Sequence, residues 1–191
     1  MNQGLHQLHP DAMLIAEDST DFDGVTRPVE FGGLGFDYKW DMGWMNDTLN
    51  YFRSNPFFRG SGYHQITFSM MYYYKEQYLL PFSHDETVHG KATIVQKMFG
   101  EYEQKFPQAR ALYLYMYTHP GKKLNFMGNE LGQLREWTEE QEQDWDILKF
   151  PIHDAFYHYM HDLNQLYLQE PALSAWDYRR EGFRWIDCHQ E

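Results

Sequence analysis

The chain has 191 residues, a formal net charge of −12 and an aromatic content of 18%, and its length is sufficient for one domain with a hydrophobic core. The acidic charge argues against a nucleic-acid partner, whose phosphates require a basic surface, and no stretch approaches the roughly 18 apolar residues of a membrane span. The single cysteine, Cys188, excludes an internal disulfide, and the first ten residues lack the pattern of a signal peptide, so we expect a soluble cytoplasmic protein.

Short apolar runs separated by helix-length stretches predict a parallel α/β fold. The runs at 13, 78 and 124 are nearly all apolar, as strands covered on both faces should be, whereas the run at 36 alternates aromatic and charged residues. The four predicted strands are Met13–Ala16, Phe36–Trp40, Tyr78–Phe82 and Leu124–Met127. Strand–helix alternation predicts that they pair in parallel through right-handed crossovers.

Helices are predicted between and after these strands. They cover Trp44–Arg53, Tyr63–Lys75, His89–Met98, Pro107–Thr118 and His153–Gln169. In the last stretch, apolar residues at positions 156, 159, 160, 163, 166 and 167 trace one helical face. Phe183–Asp187 then alternates in a pattern typical of a strand. Four strand–helix units make half of an eight-stranded barrel, which usually needs about 250 residues.

Polar groups follow the predicted strands that begin at residues 13, 78 and 124. They are Glu17-Asp18, His84-Asp85-Glu86 and Asn129-Glu130. Active sites of parallel α/β barrels lie at the carboxyl ends of the strands. A carboxyl surrounded by aromatic rings there would have the raised pKa of a general acid, and a second carboxylate could stabilise positive charge during glycoside cleavage. We predict Glu17 as the acid and Asp85 as the stabiliser; a helix-capping or loop role is the alternative for Glu17.

Three other patterns do not support a metal or phosphate site. His84 and His89 lie five residues apart, whereas the zinc motif needs i and i+4. The acidic segment from Ser19 has no carboxylate at the first position of a calcium loop and contains Pro28. The glycines of Gly32–Gly35 do not have the spacing of a dinucleotide fingerprint. We expect no metal and no cofactor.

Four segments, in this order and spacing, resemble the bacterial 1,4-α-glucan (glycogen) branching enzymes of the α-amylase superfamily. They are Ala16–Thr20, Phe31–Trp44, Phe82–Lys91 and Asn125–Glu130, and the resemblance runs nearly end to end. It implies a partial (β/α)8 barrel: residues 1–173 would be the carboxy-terminal half of the catalytic domain, with strands five to eight, and residues 174–191 the start of a carboxy-terminal β-domain. The implied reaction cuts an α-1,4-linked glucan, holds it covalently and rejoins it through an α-1,6 bond.

The resemblance also implies the roles of the reacting groups. Glu17 would be the general acid/base after the fifth barrel strand, Asp85 the transition-state stabiliser after the seventh, and His84 a hydrogen-bond partner of the sugar at the cleavage point. The family's nucleophile is an aspartate after the fourth strand, ahead of the matched part. Asp11 lies in a turn and does not replace it, so we expect the isolated chain to have negligible activity.

Further residues would shape the site around these groups. By the resemblance, Asn129 and Glu130 form its floor. Trp40, Trp44 and Trp137 are candidate stacking walls for sugar rings, with core packing as the alternative for each.

The expected partner is an α-glucan such as glycogen or amylose. Strands five and eight of a half-barrel would be open edges, which predicts pairing with a second copy or with the missing half. Three interpretations stay open beside a branching-enzyme fragment: a non-catalytic glucan-binding remnant, a truncated product without function, and a fragment of an amylase or debranching enzyme.

Overall fold

The computed structural model describes residues 1–188 and shows an α/β fold with a four-stranded parallel sheet. The strands are β1 (Ile15–Ala16), β2 (Tyr38–Trp40), β3 (Tyr78–Phe82) and β4 (Lys122–Asn125). Each strand pairs in parallel with the next one along the chain, in the order β1-β2-β3-β4. The predicted parallel sheet is confirmed, and its order is compatible with part of a barrel.

Six α-helices occur in residues 1–188. They are α1 (Asn2–Leu8), α2 (Met42–Arg53), α3 (His64–Thr67), α4 (Ile94–Lys97), α5 (Tyr102–Thr118) and α6 (Pro151–Gln169). The predictions for α2, α5 and α6 are confirmed with earlier starts, and α5 begins five residues before Pro107, which lies inside it. None of these helices combines the length and apolar character needed to cross a bilayer.

The helix predicted over Tyr63–Lys75 is wrong as a continuous element. Only α3 is α-helical, and 3-10 turns follow at Phe68–Met71 and Tyr73–Lys75. The backbone N–H groups bond to the carbonyl three residues earlier, as in Tyr72 to Ser69 at 3.2 Å. Five of these thirteen residues are Phe or Tyr, which are weak helix formers.

The helix predicted over His89–Met98 is reduced to the single turn α4. His89 and Ala92 have positive φ angles of 59° and 67°, which helical residues do not adopt. The helix begins only after Thr93, where Thr93 and Gln96 form a reciprocal capping box.

The strand predicted over Phe183–Asp187 is wrong. None of the four strands pairs with this segment, and a strand without a neighbour leaves its backbone groups unpaired. The chain before it forms 3-10 turns at Pro171–Leu173 and Arg180–Gly182. The Phe183 and Trp185 rings pack edge to face, 4.9 Å apart.

The main hydrophobic core lies between β3 and the helices α2, α4, α5 and α6. Leu80 and Phe82, on one face of β3, are fully buried in it. The predicted apolar face of α6 contributes Phe156, Met160 and Leu163, whereas Leu166 remains 46% exposed. This core attaches the helices to the sheet and fixes the positions at which β3 and β4 end.

Candidate active site at the carboxyl edge of the sheet

The carboxyl ends of all four strands lie along one edge of the sheet because the strands are parallel. Glu17 directly follows β1, Asp41 follows β2, and the 3-10 turn His84–Glu86 follows β3. The turn Asn129–Leu131 comes after β4. The sheet therefore brings the polar groups predicted from three strands to the same edge.

Glu17 lies at the outer end of this row. It follows the edge strand β1, and its side chain is exposed. The aromatic surroundings expected for a general acid are therefore not assembled around Glu17 by residues 1–188.

The neighbouring residue, Asp18, is held by a buried lysine. Lys39, 4% exposed, places its Nζ 3.0 Å from Oδ2 of Asp18 and 2.9 Å from the carbonyl oxygen of Thr20. The hydrogen bond from Lys39 lowers the pKa of the Asp18 carboxyl. Lys39 therefore ties the segment after Glu17 to β2.

A second anchor of this segment is Glu76, just before β3. Its carboxylate accepts hydrogen bonds from the backbone N–H groups of Gly24, Val25 and Thr26 at 2.7–2.8 Å, and from Oγ1 of Thr26 at 2.5 Å. Glu76 is 7% exposed. The loop that leaves the site after Glu17 is thus fixed by one buried carboxylate, which no sequence motif indicated.

We expect Glu76→Gln to lower the free energy of unfolding of this chain by about 2 kcal/mol. The substitution keeps the shape of the side chain, but its NH₂ group would face backbone donors that now bond to a carboxylate oxygen. Urea denaturation of both proteins measures the difference. The control is Glu139→Gln at an exposed position. A loss of stability no larger than that of the control would show that the carboxylate does not anchor the loop.

Asp85 lies beside an aromatic cluster. Nε2 of His84 is 3.3 Å from Oδ1 of Asp85, and both side chains are a little less than half exposed. The ring of His84 packs against Phe126 at 5.6 Å and Trp137 at 6.3 Å. Phe126 and Trp137 meet nearly at right angles, 5.2 Å apart. The aromatic rings therefore pack against His84, the residue before Asp85.

Asn129 and Glu130 make local contacts at the end of β4. Nδ2 of Asn129, which is 3% exposed, lies 3.2 Å from Oδ1 of Asn125 and 3.4 Å from the carbonyl oxygen of Phe82. Glu130 accepts a hydrogen bond from the backbone N–H of Gly128 at 2.9 Å. Asn129 thus connects the ends of β3 and β4.

The three candidate tryptophans occupy different environments. Trp44 is 1% exposed and stacks on Tyr115 in the core, 6.0 Å apart, so for Trp44 the packing alternative is correct. Trp40 is half-buried and lines a cleft of about 210 Å³ together with Asp18. Trp137 is half-buried beside His84. Trp40 and Trp137 therefore remain available to a ligand.

Asp41, which also lines this cleft, is the residue that the sequence interpretation missed. It is 1% exposed; Oδ1 accepts hydrogen bonds from the backbone N–H of Trp44 and the hydroxyl of Tyr72, both at 2.8 Å. Oδ2 is buried without a partner. Burial raises the pKa of Asp41 to about 6. The pattern of a strand followed by a carboxylate, which identified Glu17 and Asp85, would also have identified Asp41.

A larger cavity of about 710 Å³ lies elsewhere. Its lining includes Met13, Asp37 and Gln77, which precede β1, β2 and β3. It therefore belongs to the opposite edge of the sheet and contains none of the predicted site residues.

Comparison with known proteins finds close similarity along nearly the whole chain. No family model matches the chain. The chain is 51% identical over 189 residues to the 1,4-alpha-glucan branching enzyme of Oceanobacillus iheyensis, covering 99% of the chain and 30% of that enzyme. The branching enzyme of Oleidesulfovibrio alaskensis is 49% identical, covering 98% and 29%, and that of Shewanella sp. MR-7 is 51% identical, covering 98% and 25%.

The chain thus spans between a quarter and three tenths of the length of these curated relatives. An identity of about one half over 98–99% of the chain confirms the resemblance. Over this section, the chain is a relative of the 1,4-alpha-glucan branching enzymes.

Proposed function

We propose that this chain forms part of the active site of a branching enzyme that cleaves α-1,4-glucan and transfers the cut chain to make an α-1,6 branch. The observation that carries the proposal is the identity of about one half with branching enzymes over 98–99% of the chain. The position of Glu17 and Asp85 at one edge of the parallel sheet supports it.

We assign β1–β4 to strands five to eight of a (β/α)8 barrel. The parallel order of the four strands and the helices between them support this assignment. We assign residues 1–173 to the carboxy-terminal half of the catalytic domain, and residues 174–191 to the start of a carboxy-terminal β-domain. Residues 189–191 lie outside the part of the chain that the structure describes. The open edges of the sheet, β1 and β4, would be covered by the other half of the barrel or by a second copy of the chain.

In the proposed reaction, the carboxyl of Glu17 donates its proton to the glycosidic oxygen as the C1–O bond breaks. An aspartate nucleophile forms an ester with C1, and Asp85 stabilises the positive charge that develops on the sugar ring. The 6-hydroxyl of an acceptor chain then attacks C1, while the Glu17 carboxylate takes up the hydroxyl proton and the ester bond to the nucleophile breaks. His84 would hydrogen-bond the sugar at the cleavage point.

Asp85 is assigned the role of the stabiliser, so a retaining enzyme needs a further carboxylate as its nucleophile. Ahead of β1, residues 1–14 contain one carboxylate, Asp11, in an exposed turn. The nucleophile is therefore assigned to a part of the enzyme outside this sequence.

The remaining site residues are assigned to substrate binding. Trp40 and Trp137 offer half-buried indole rings on which sugar rings can stack. Asn129 and Glu130 shape the floor of the site at the end of β4. No cofactor enters this reaction scheme.

A chimera tests this proposal. In it, the chain replaces the matching 189-residue section of the Oceanobacillus enzyme, and amylose is the substrate. If the chimera is a branching enzyme, we expect the iodine colour of amylose to be lost and new α-1,6 linkages to form without a rise in reducing ends. A rise in reducing ends without α-1,6 linkages would identify an amylase. Retention in glycogen gels without turnover would identify a binding remnant.

A further inference from the structure

The chain that follows Asp85 takes an unusual path between the 3-10 turn and α4. His89 and Ala92 both adopt the left-handed conformation, with φ of 59° and 67°. This conformation is uncommon for residues other than glycine and persists only where the surroundings enforce it. Other residues must therefore hold this segment, which directly follows the turn that contains Asp85.

One restraint is the ammonium group of Lys97. Its Nζ donates to the carbonyl oxygens of Glu86, Lys91 and Ala92, each at 2.5 Å. An ammonium has three protons, so all its donors are used on this segment. Lys97 is 7% exposed, and burial lowers its pKa to about 8, so the group keeps its charge at pH 7. The first of these carbonyls belongs to the residue next to Asp85.

The second restraint is the carboxylate of Glu136, which comes from the segment after β4. Oε2 accepts a hydrogen bond from the backbone N–H of Gly90 at 2.9 Å, and Oε1 accepts one from that of Ala92 at 2.7 Å. These two bonds lower the pKa of Glu136. The segment between the 3-10 turn and α4 is therefore held by two opposite charges. The ammonium of Lys97 binds its carbonyl groups, and the carboxylate of Glu136 binds its N–H groups.

The residue after Glu136 reaches the other side of the turn. Trp137 packs edge-on against His84, with ring centres 6.3 Å apart, and against Phe126 at 5.2 Å. Glu136 and Trp137 thus contact the chain on both sides of Asp85: His84 before it, and Gly90 and Ala92 after it.

We infer that Lys97 and Glu136 are positioning residues that hold the Asp85 turn in the geometry needed for transfer, acting as an ionic clamp on residues 86–92. This inference rests on the proposed function. Neither residue is assigned to touch substrate. Loss of the clamp lets the turn sample other positions, which lowers kcat more than it changes KM.

In the chimera, Lys97→Met removes the three donors while keeping an apolar stem, and Glu136→Gln keeps the shape while removing the charge. We expect each to lower kcat at least tenfold with KM within threefold. The control is Lys105→Met. Lys105 also donates to two carbonyls, those of Gln96 and Met98. These carbonyls lie at α4 and not in the clamped segment, so the kcat of Lys105→Met should stay within twofold of that of the unsubstituted chimera.

Amide hydrogen exchange on the 191-residue chain tests the clamp without any activity. In Glu136→Gln, the amides of Gly90 and Ala92 should exchange at least tenfold faster, while those of α5 keep their rates. Unchanged exchange at both amides overturns the clamp. Losses of kcat no larger than for Lys105→Met overturn the positioning role. Absence of α-1,6 linkages with the unsubstituted chimera instead refutes the proposed function, and the exchange rates still decide whether the clamp exists.

Discussion

Glu17→Gln and Asp85→Asn in the chimera are each expected to lower kcat for branching by about 10³-fold. Glutamine cannot donate the proton that the leaving glycosidic oxygen requires, and asparagine lacks the negative charge that opposes the developing positive charge on the sugar. Because both groups act mainly in the transition state, KM should change much less than kcat. Initial rates of α-1,6 linkage formation over a range of amylose concentrations measure both constants.

Two nearby carboxylates provide controls for these substitutions. Glu86 lies in the same 3-10 turn as Asp85, and Glu30 lies in the turn Val29–Phe31 of the loop after Glu17. Glu86→Gln and Glu30→Gln should retain kcat within threefold. If Glu17→Gln kept more than a tenth of the activity, the general acid would have to be another residue.

Asp41→Asn is expected to become more stable relative to the unsubstituted chain as the pH rises. Burial raises the pKa of Asp41 in the native state from 3.8 to about 6. Between these values the native state binds more protons than the unfolded state, so the contribution of Asp41 to stability is complete below pH 3.8 and is lost as the pH rises through 6. The difference amounts to about 3 kcal/mol.

The asparagine variant does not titrate, and its amide oxygen can still accept the hydrogen bonds from Trp44 and Tyr72. The free energy of unfolding of the chain minus that of Asp41→Asn should therefore fall by about 3 kcal/mol between pH 3.5 and pH 7.5. Denaturant titrations at several pH values measure this difference, with the exposed Asp11→Asn as control. A constant difference across this range would show that Asp41 is not protonated more readily in the folded chain.

The elements that the sequence predicted well are those with a strong apolar pattern. β3 was predicted with its correct ends, because Tyr78–Phe82 is a continuous apolar run and all five residues are buried. β4 was predicted two residues late because it begins with two lysines. Both ammonium groups have partners in the fold: Nζ of Lys122 lies 2.9 Å from Oδ2 of Asp177, and Lys123 donates to the carbonyl of His119 at 2.6 Å.

Two of the failures have their physical origin in contacts outside the predicted element. Phe183–Asp187 has a strand pattern, but a strand forms only beside a partner. The helix predicted from His89 was shortened because Lys97 and Glu136 hold the preceding residues in non-helical conformations. Such restraints join residues up to 46 positions apart, so they cannot be predicted from a local sequence pattern.

The positions of Glu17 and Asp85 at the strand ends could be predicted from the sequence, but the surroundings of these side chains could not. Glu17 and Asp85 were identified from the strands that they follow, and the parallel sheet places both at one edge. The aromatic wall could not be assigned to one of them, since Phe126 and Trp137 come from after β4. In the structure they pack beside His84, while Glu17 stays exposed on an edge strand. In the barrel that we propose, desolvation of Glu17 would come from the part that covers β1.

We propose that this chain supplies the acid and the stabiliser of a branching site but not its nucleophile. The decisive assay compares the purified chain with the chimera for new α-1,6 linkages formed from amylose. We expect linkages from the chimera and none from the chain. Linkages formed by the chain and abolished by Glu17→Gln would contradict it, because the chain would then contain its own nucleophile. Absence of linkages from both would contradict the assignment to branching.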